Sequence, residues 1–296
     1  MQNISWEFDC ISLLVPNESI ARFSVEQGSG FLRSLNLQVA RALKSSGIEA
    51  VHDLRVALRR FRQVLKMLKP WLPDQESRLL RRELKNLMGR AGDVRDLDIA
   101  LHLLRAIQVP KNRRIIGELH ETRETLARAL HECLRDFQLR DTGAAWRRAL
   151  KLEKSVEAPA ASDVARHILS PMLKRHLQRG RRAARENTPA KALHRFRIET
   201  KEMRYTLDLF SPLYGGTIVE ITARLKSLQT HLGAIHDCVA TRDLVDDARS
   251  SAGKKDILRA LENRRERKTE RFLRDYRRDF GNEEVLHRWK KALRHP

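Results

Sequence analysis

Turned at the helical 100° per residue, segment 51–70 separates into two faces. Leu54, Leu58, Phe61, Leu65 and Leu68 fall on one side. His52, Arg55, Arg59 and Arg62 form a stripe about 80° wide on an adjoining side. Bases on an exposed helix usually have acids three or four residues away, yet Asp53 is the only acid between His52 and Pro73. One face is built for burial. The other is either a solvated cationic surface or a place where an anion binds.

The same periodicity covers most of the chain. From Glu26 onward Leu, Ala, Arg, Glu and Lys dominate, and Gly and Pro sit at boundaries. The pattern predicts helices over 26–45, 50–69, 75–91, 94–107, 112–139, 161–186, 190–211, 217–232, 236–249, 254–279 and 283–294. Residues 1–25 read as an N-terminal arm. Trp6, Phe8, Ile11, Leu13 and Val15 alternate weakly up to Pro16-Asn17, compatible with a short strand or an irregular segment. The Ala/Pro-rich stretch 153–162 reads as a connector.

An internal repeat organises these helices. His52-x2-Arg55-x3-Arg59-x2-Arg62 recurs as His194-x2-Arg197-x3-Lys201-x2-Arg204, an offset of 142 residues. Phe196, Met203, Leu207 and Phe210 lie opposite the second basic stripe, as the leucines lie opposite the first. Downstream, Leu84-Lys85-x-Leu87-x4-Gly92-x2-Arg95-Asp96 recurs as Leu225-Lys226-x-Leu228-x4-Gly233-x2-His236-Asp237, offset by 141. Two motifs that keep their mutual spacing to within one residue indicate two related helical halves, 26–152 and 161–294. The expected fold class is all-α: two four-helix-type bundles related by an internal pseudo-twofold axis.

Charge narrows the function. Of 296 residues 59 are Lys or Arg and 38 Asp or Glu, a net charge of +21 that calls for a strongly anionic partner. Nucleic acid, an anionic membrane surface and a polyphosphate all qualify. Aromatic residues make up 5% of the chain, which speaks against single-strand binding by base stacking. Cys10, Cys133 and Cys238 are widely spaced and form no CxxC pair, as expected for a reducing, cytoplasmic setting. No apolar run approaches the ~20 residues of a membrane span, and no signal-peptide pattern opens the chain.

The stripes suit phosphate chemistry. Arg presents a planar fork to phosphate oxygens, Lys a point charge, and His a donor whose charge responds to pH. Each stripe is about 15 Å long, which suits an extended polyanion. Lys85 and Lys226 join this set by their matched positions. Gly92 and Gly233 are expected to end one helix, with Asp93 or Asp237 capping the next; Arg95 could still point into the basic surface. The basic stretch 254–278 contains Glu262, Glu266, Glu270 and Asp275 near its cations, the pattern of a self-stabilised solvated helix. His120-Glu121 and His131-Glu132 lack the second His of a zinc HExxH helix, and no Walker loop, GxGxxG or GxSxG occurs. No catalytic apparatus and no cofactor are implied.

The two His-led helices, each followed by Gly-x-x-(Arg/His)-Asp, resemble the CHAD domain, the conserved histidine α-helical domain. The resemblance rests on Val51-His52-Asp53-Leu54-Arg55-Val56-Ala57-Leu58-Arg59-Arg60-Phe61-Arg62 and on 193–205, and spans roughly 26–294. It implies a non-catalytic helical module whose basic surface and central channel bind inorganic polyphosphate, in association with polyphosphate granules. The ligand contacts it implies are His52, Arg55, Arg59, Arg62, Lys85 and Arg95, then His194, Arg197, Lys201, Arg204 and Lys226. The triphosphate tunnel domain often fused to such modules has no counterpart in 1–25. The alternative is a basic helical protein that binds RNA or nucleoid DNA, because any ladder of cations attracts a phosphate backbone.

Overall fold

The computed structural model describes residues 18–67, 69–71, 74–107, 113–139 and 158–294. Nine α-helices run through them: α1 Ile20–Lys44, α2 Ile48–Met67, α3 Asp74–Ala106, α4 Arg113–Leu139, α5 Ala161–Ala183, α6 Ala190–Phe210, α7 Gly216–Asp247, α8 Lys254–Phe280 and α9 Glu283–Ala292. The fold is all-α. Among the described residues the β-type pairing is a single antiparallel bridge, Ser19 with Ala160.

Local chemistry sets most helix ends. The Ser19 hydroxyl accepts from Arg22 N at 3.3 Å and starts α1. Asn282 Oδ1 accepts from Glu284 N and Val285 N and starts α9. Gly253 opens α8 at φ 74°, a left-handed backbone that favours glycine. Pro70 and Pro212 lie in the short 3₁₀ turns Lys69–Trp71 and Ser211–Leu213 that follow α2 and α6.

The structure departs from the sequence pattern at three helices. α1 begins at Ile20 and not at Glu26. Ile20 and Phe23 are wholly buried, and Phe23 stacks on Phe210 with centroids 5.6 Å apart, so tertiary burial overrides the weak propensity of the Ser- and Gly-containing stretch. Ile20 N donates to Pro159 O and Ala161 N to Glu18 O, which ties this end to the start of α5. The short strand or irregular segment expected within 6–15 lies outside the described residues, as does the first half of the connector, 153–157.

The other departures are Gly92 and Gly233. Neither ends a helix: α3 and α7 pass straight through them, and neither takes a positive φ. Asp93 and Asp237 are therefore interior positions and not caps. A single glycine costs a helix about 1 kcal/mol, which two long packed helices absorb. The glycine at 92 makes room for the Arg55 side chain laid across it.

Packing places four helices around the candidate site. α2 packs on α3 and α6 on α7, and the pairs then join through α2 against α6 and α3 against α7. The main apolar core takes Leu54, Leu58 and Phe61 of α2, Leu84 and Val94 of α3, Phe196 and Leu207 of α6, and Leu225 and Ile235 of α7. A smaller cluster closes the far end, with Leu97, Leu101 and Leu104 of α3, Ile115 and Leu119 of α4, Val245 of α7, and Ile257 and Leu261 of α8. At about 1.5–3 kcal/mol for each buried large apolar side chain, these faces hold the helices rigidly enough to crowd like charges between them. One buried polar contact pins α2 to α6: Gln63 Nε2 donates to Thr206 Oγ1 at 2.8 Å, and that hydroxyl donates to Glu202 O.

The stretch 254–278 behaves largely as a self-stabilised helix. Arg259 pairs with Asp256, Arg265 with Glu262, and Arg271 and Arg278 with Asp275, all within α8. Its other face buries Phe272, Tyr276 and Phe280.

Candidate functional site

The two basic stripes face each other. On α2 the apolar face made of Val51, Leu54, Leu58, Phe61 and Leu65 is fully buried, so the face carrying Arg55, Arg59 and Arg62 has a set orientation. On α6, Leu193, Phe196, Met203 and Leu207 do the same for Arg197, Lys201 and Arg204. Because α2 packs on α6, charges on the two helices act on one another directly.

Electrostatics define the cluster. Burial lowers the pKa of Arg55 to about 10, helped by the Arg59, Arg95 and Arg197 charges and opposed by Asp96. Arg197 is shifted down by burial and by Arg59, against the pull of Asp237 and Asp96. Lys201 falls to about 6, through burial first and then Arg59, Arg197 and Arg55. Burial and Arg59 lower Arg62. Arg59 is thus the common neighbour, set between the cations of its own helix and those of α6. Arg55 Nη1 and Arg197 Nε are buried without a hydrogen-bond partner among the described residues. An unsatisfied buried donor costs about 1–3 kcal/mol, so the protein holds these groups at a cost that an incoming anion would relieve.

α3 and α7 complete the site. His52 lies beside Arg95, which with burial depresses the imidazole pKa. Arg55 extends over Gly92, where a Cβ would sit 2.7 Å from its Nη1. His52 opposite Arg95 and Arg55 opposite Gly92 define an antiparallel register, which places Lys85 level with Arg62 on the two helices. Between α6 and α7, His194 and His236 bring their Nδ1 atoms to 3.2 Å with ring centroids 4.6 Å apart. One ring must donate to the other. His194 is depressed by burial, Arg197 and Lys201; His236 falls to about 3 through burial, Arg197, His194 and Lys201.

Arg204 is held differently. Its Nε donates to Gln229 Oε1 at 2.9 Å, its Nη1 lies 3.4 Å from Asp208 Oδ2, and its guanidinium stacks on the Tyr205 ring at 4.3 Å. Asp208 itself is pushed up by burial, against Arg204, Arg60 and Lys226. Lys226 and Lys85 are both exposed, toward the ends of α7 and α3 nearer the turns that join them to α6 and α2.

Sequence reasoning thus named the residues that converge and overlooked several of their neighbours. His52, Arg55, Arg59, Arg62, Arg95, His194, Arg197 and Lys201 form one connected set. Arg204 is already partnered, and Lys85 and Lys226 stand at its edge. Asp96, part of the repeated motif, and Asp237, expected as a cap, lie among the cations, and burial raises the Asp237 carboxyl despite Arg197 and Lys201. His236 and Arg60 belong to the neighbourhood as well. The recurrence of Asp96 and Asp237 at the same offset as the glycines was the signal available for them.

The family model of the CHAD domain matches residues 27–246, and the chain belongs to that family. Its fold is similar to the crystal structure of the CHAD domain from the plant Ricinus communis, with a TM-score of 0.71 and 21% identity, covering 96% of this chain and 95% of that one. It is also similar to PptA from Streptomyces chartreusis, with a TM-score of 0.55 and 17% identity, covering 87% of this chain and 99% of that one. No curated protein sequence matches. Among the described residues no helix is long and apolar enough to cross a membrane.

Proposed function

We propose that the chain binds inorganic polyphosphate without turning it over, through the cations of α2, α3, α6 and α7. The observation that carries this reading is the convergence of Arg55, Arg59, Arg197 and Lys201, where burial and neighbouring guanidinium charges lower Arg55, Arg197 and Lys201 and where two guanidinium nitrogens have no partner among the described residues. Crowding and partly desolvating like charges costs free energy that an added anionic counterpart would offset. Polyphosphate offers about one charge per phosphoryl unit and no bases, so it needs a cation ladder and no stacking platform. Membership of the CHAD family supports the same ligand class. Association with polyphosphate granules in the cytoplasm follows as the expected consequence of such binding.

Competition binding tests the proposal. At about 150 mM salt, near-physiological screening, polyphosphate should outcompete tRNA and single-stranded DNA at equal phosphate concentration. Displacement of bound polyphosphate by either nucleic acid would move the assignment to a general nucleic-acid binder, which the net charge of +21 also favours. Incubation with polyphosphate and Mg²⁺ or Mn²⁺ should release no phosphate; steady release would make the protein an enzyme.

A further inference from the structure

The two halves of the site match in position but not in titration behaviour. Where the first half has Arg59, the second has Lys201, and where the first has Arg95, the second has His236. With His194 against His236, this gathers three titratable cations on α6 and α7, facing guanidinium groups on α2.

We infer that polyanion binding is coupled to proton uptake in the second half of the cluster, with Lys201 becoming an ammonium as the ligand enters and the His194–His236 pair adding charge at lower pH. This rests on the polyanion-binding reading of the same site. The surroundings of Lys201 set the starting state. Arg55 and Arg59 face it from α2 and Arg197 from its own helix, while from α7 it meets Asp237, whose carboxyl burial shifts toward the neutral form. Asp96 and Arg95 of α3 act on Asp237 in turn. α5 packs on other faces of α6, where His176 meets Thr200 and Arg179 meets Glu199. His236 faces Arg197, His194 and Lys201. Placed among three guanidinium groups, the amine is largely neutral near pH 7 in the empty site, in keeping with a value of about 6.

An entering phosphate chain reverses this balance. Its negative charges favour the ammonium and move Lys201 back toward the ordinary value of about 10.4. Between the two values the complex holds a proton that the empty protein lacks, so affinity rises as pH falls, by up to about tenfold per pH unit. The His236 imidazole takes up its proton lower, between about 3 and the ordinary value of about 6.5, and burial, Arg197 and Lys201 lower His194 in the same direction. Arg55, Arg59 and Arg62 remain charged throughout. The first half supplies a constant attraction and the second a pH-graded one.

The test is calorimetric titration of the full chain with long-chain inorganic polyphosphate, at about pH 8, in two buffers of different ionisation enthalpy. The expected result is uptake approaching one proton per binding event, with affinity falling up to about tenfold from pH 7 to 8 and again from 8 to 9. Lys201→Arg, which copies the first half, should bind with that uptake removed and a flattened pH profile; it also subtracts protons taken by the ligand's own end groups. If Lys201→Arg does not fold, Lys201→Met should bind at all these pH values with the weaker affinity of the wild type near pH 9. Tight binding whose heat is the same in both buffers, or uptake that persists in the Lys201 variants, overturns the coupling while leaving polyphosphate binding intact. Absence of binding at every pH removes the polyanion reading and this inference together.

Discussion

Arg55 lies across Gly92, and a Cβ on that glycine would stand 2.7 Å from the Arg55 Nη1 atom. The glycine therefore serves as the seat of a guanidinium. It neither ends its helix nor adopts a backbone that other residues avoid.

Gly92→Ala follows as a selective probe. The displaced atom is the tip of a long side chain, so the protein can yield there at little cost, and the helix gains roughly 1 kcal/mol of propensity. Thermal stability should hold or rise slightly while polyphosphate affinity drops severalfold. Unchanged affinity in a binding titration would show that Arg55 does not need this position.

Arg55→Met combined with Arg197→Met should stabilise the ligand-free protein and weaken binding. Both guanidiniums are largely buried, repel Arg59, and leave a nitrogen unpartnered, so methionine relieves about 1–3 kcal/mol at each site. Urea unfolding should record the gain, and binding should fall at least tenfold. A destabilised double variant would mean that Asp96 and Asp237 already satisfy these cations.

A control pair on α8 separates specific from general attraction. Arg267→Ala with Arg274→Ala removes the same formal charge from exposed positions outside the cluster. Binding should change less than about twofold at 150 mM salt, where exposed charges are screened. A loss equal to that of the Arg55/Arg197 pair would show that net charge, and not the stripes, governs affinity.

Acid should destabilise the fold through His176. The Thr200 hydroxyl donates to Phe196 O, so it must accept from His176 Nε2–H at 3.0 Å, which leaves Nδ1 buried with an unused lone pair. Burial holds this imidazole at about 4, against about 6.5 in an unfolded chain. Between these values the unfolded state binds more protons. Stability is therefore complete above about 6.5 and declines as pH falls, by up to about 1.4 kcal/mol per pH unit. His52, His194 and His236 are displaced the same way and add to the slope. In urea unfolding at about pH 7 and 5, His176→Gln should flatten the decline relative to wild type; an equal decline would exclude His176 as its source.

Much of the fold was legible because a period near 3.6 in apolar residues is a local property. The leucines of 51–70 and the breaks at Pro70 and Pro212 announced α2, α6 and their ends. α1 starts earlier than its local pattern predicts because the burial of Ile20 and Phe23 depends on Phe210 and on Pro159 beside α5, far along the chain. The stripes were legible for the same reason as the helices, because the spacing of basic residues along a helix is also a local property.

The chain's own pattern determined that α2 and α6 each carry an apolar face and a cationic one, with the basic residues at the same spacing. Only the tertiary structure decided that the cationic faces meet, that Asp96, Asp237 and His236 stand among them, and that Gly92 makes room for Arg55. The reason is physical: periodicity specifies what each helix presents, whereas charge proximity and desolvation arise only when helices distant in sequence pack against each other.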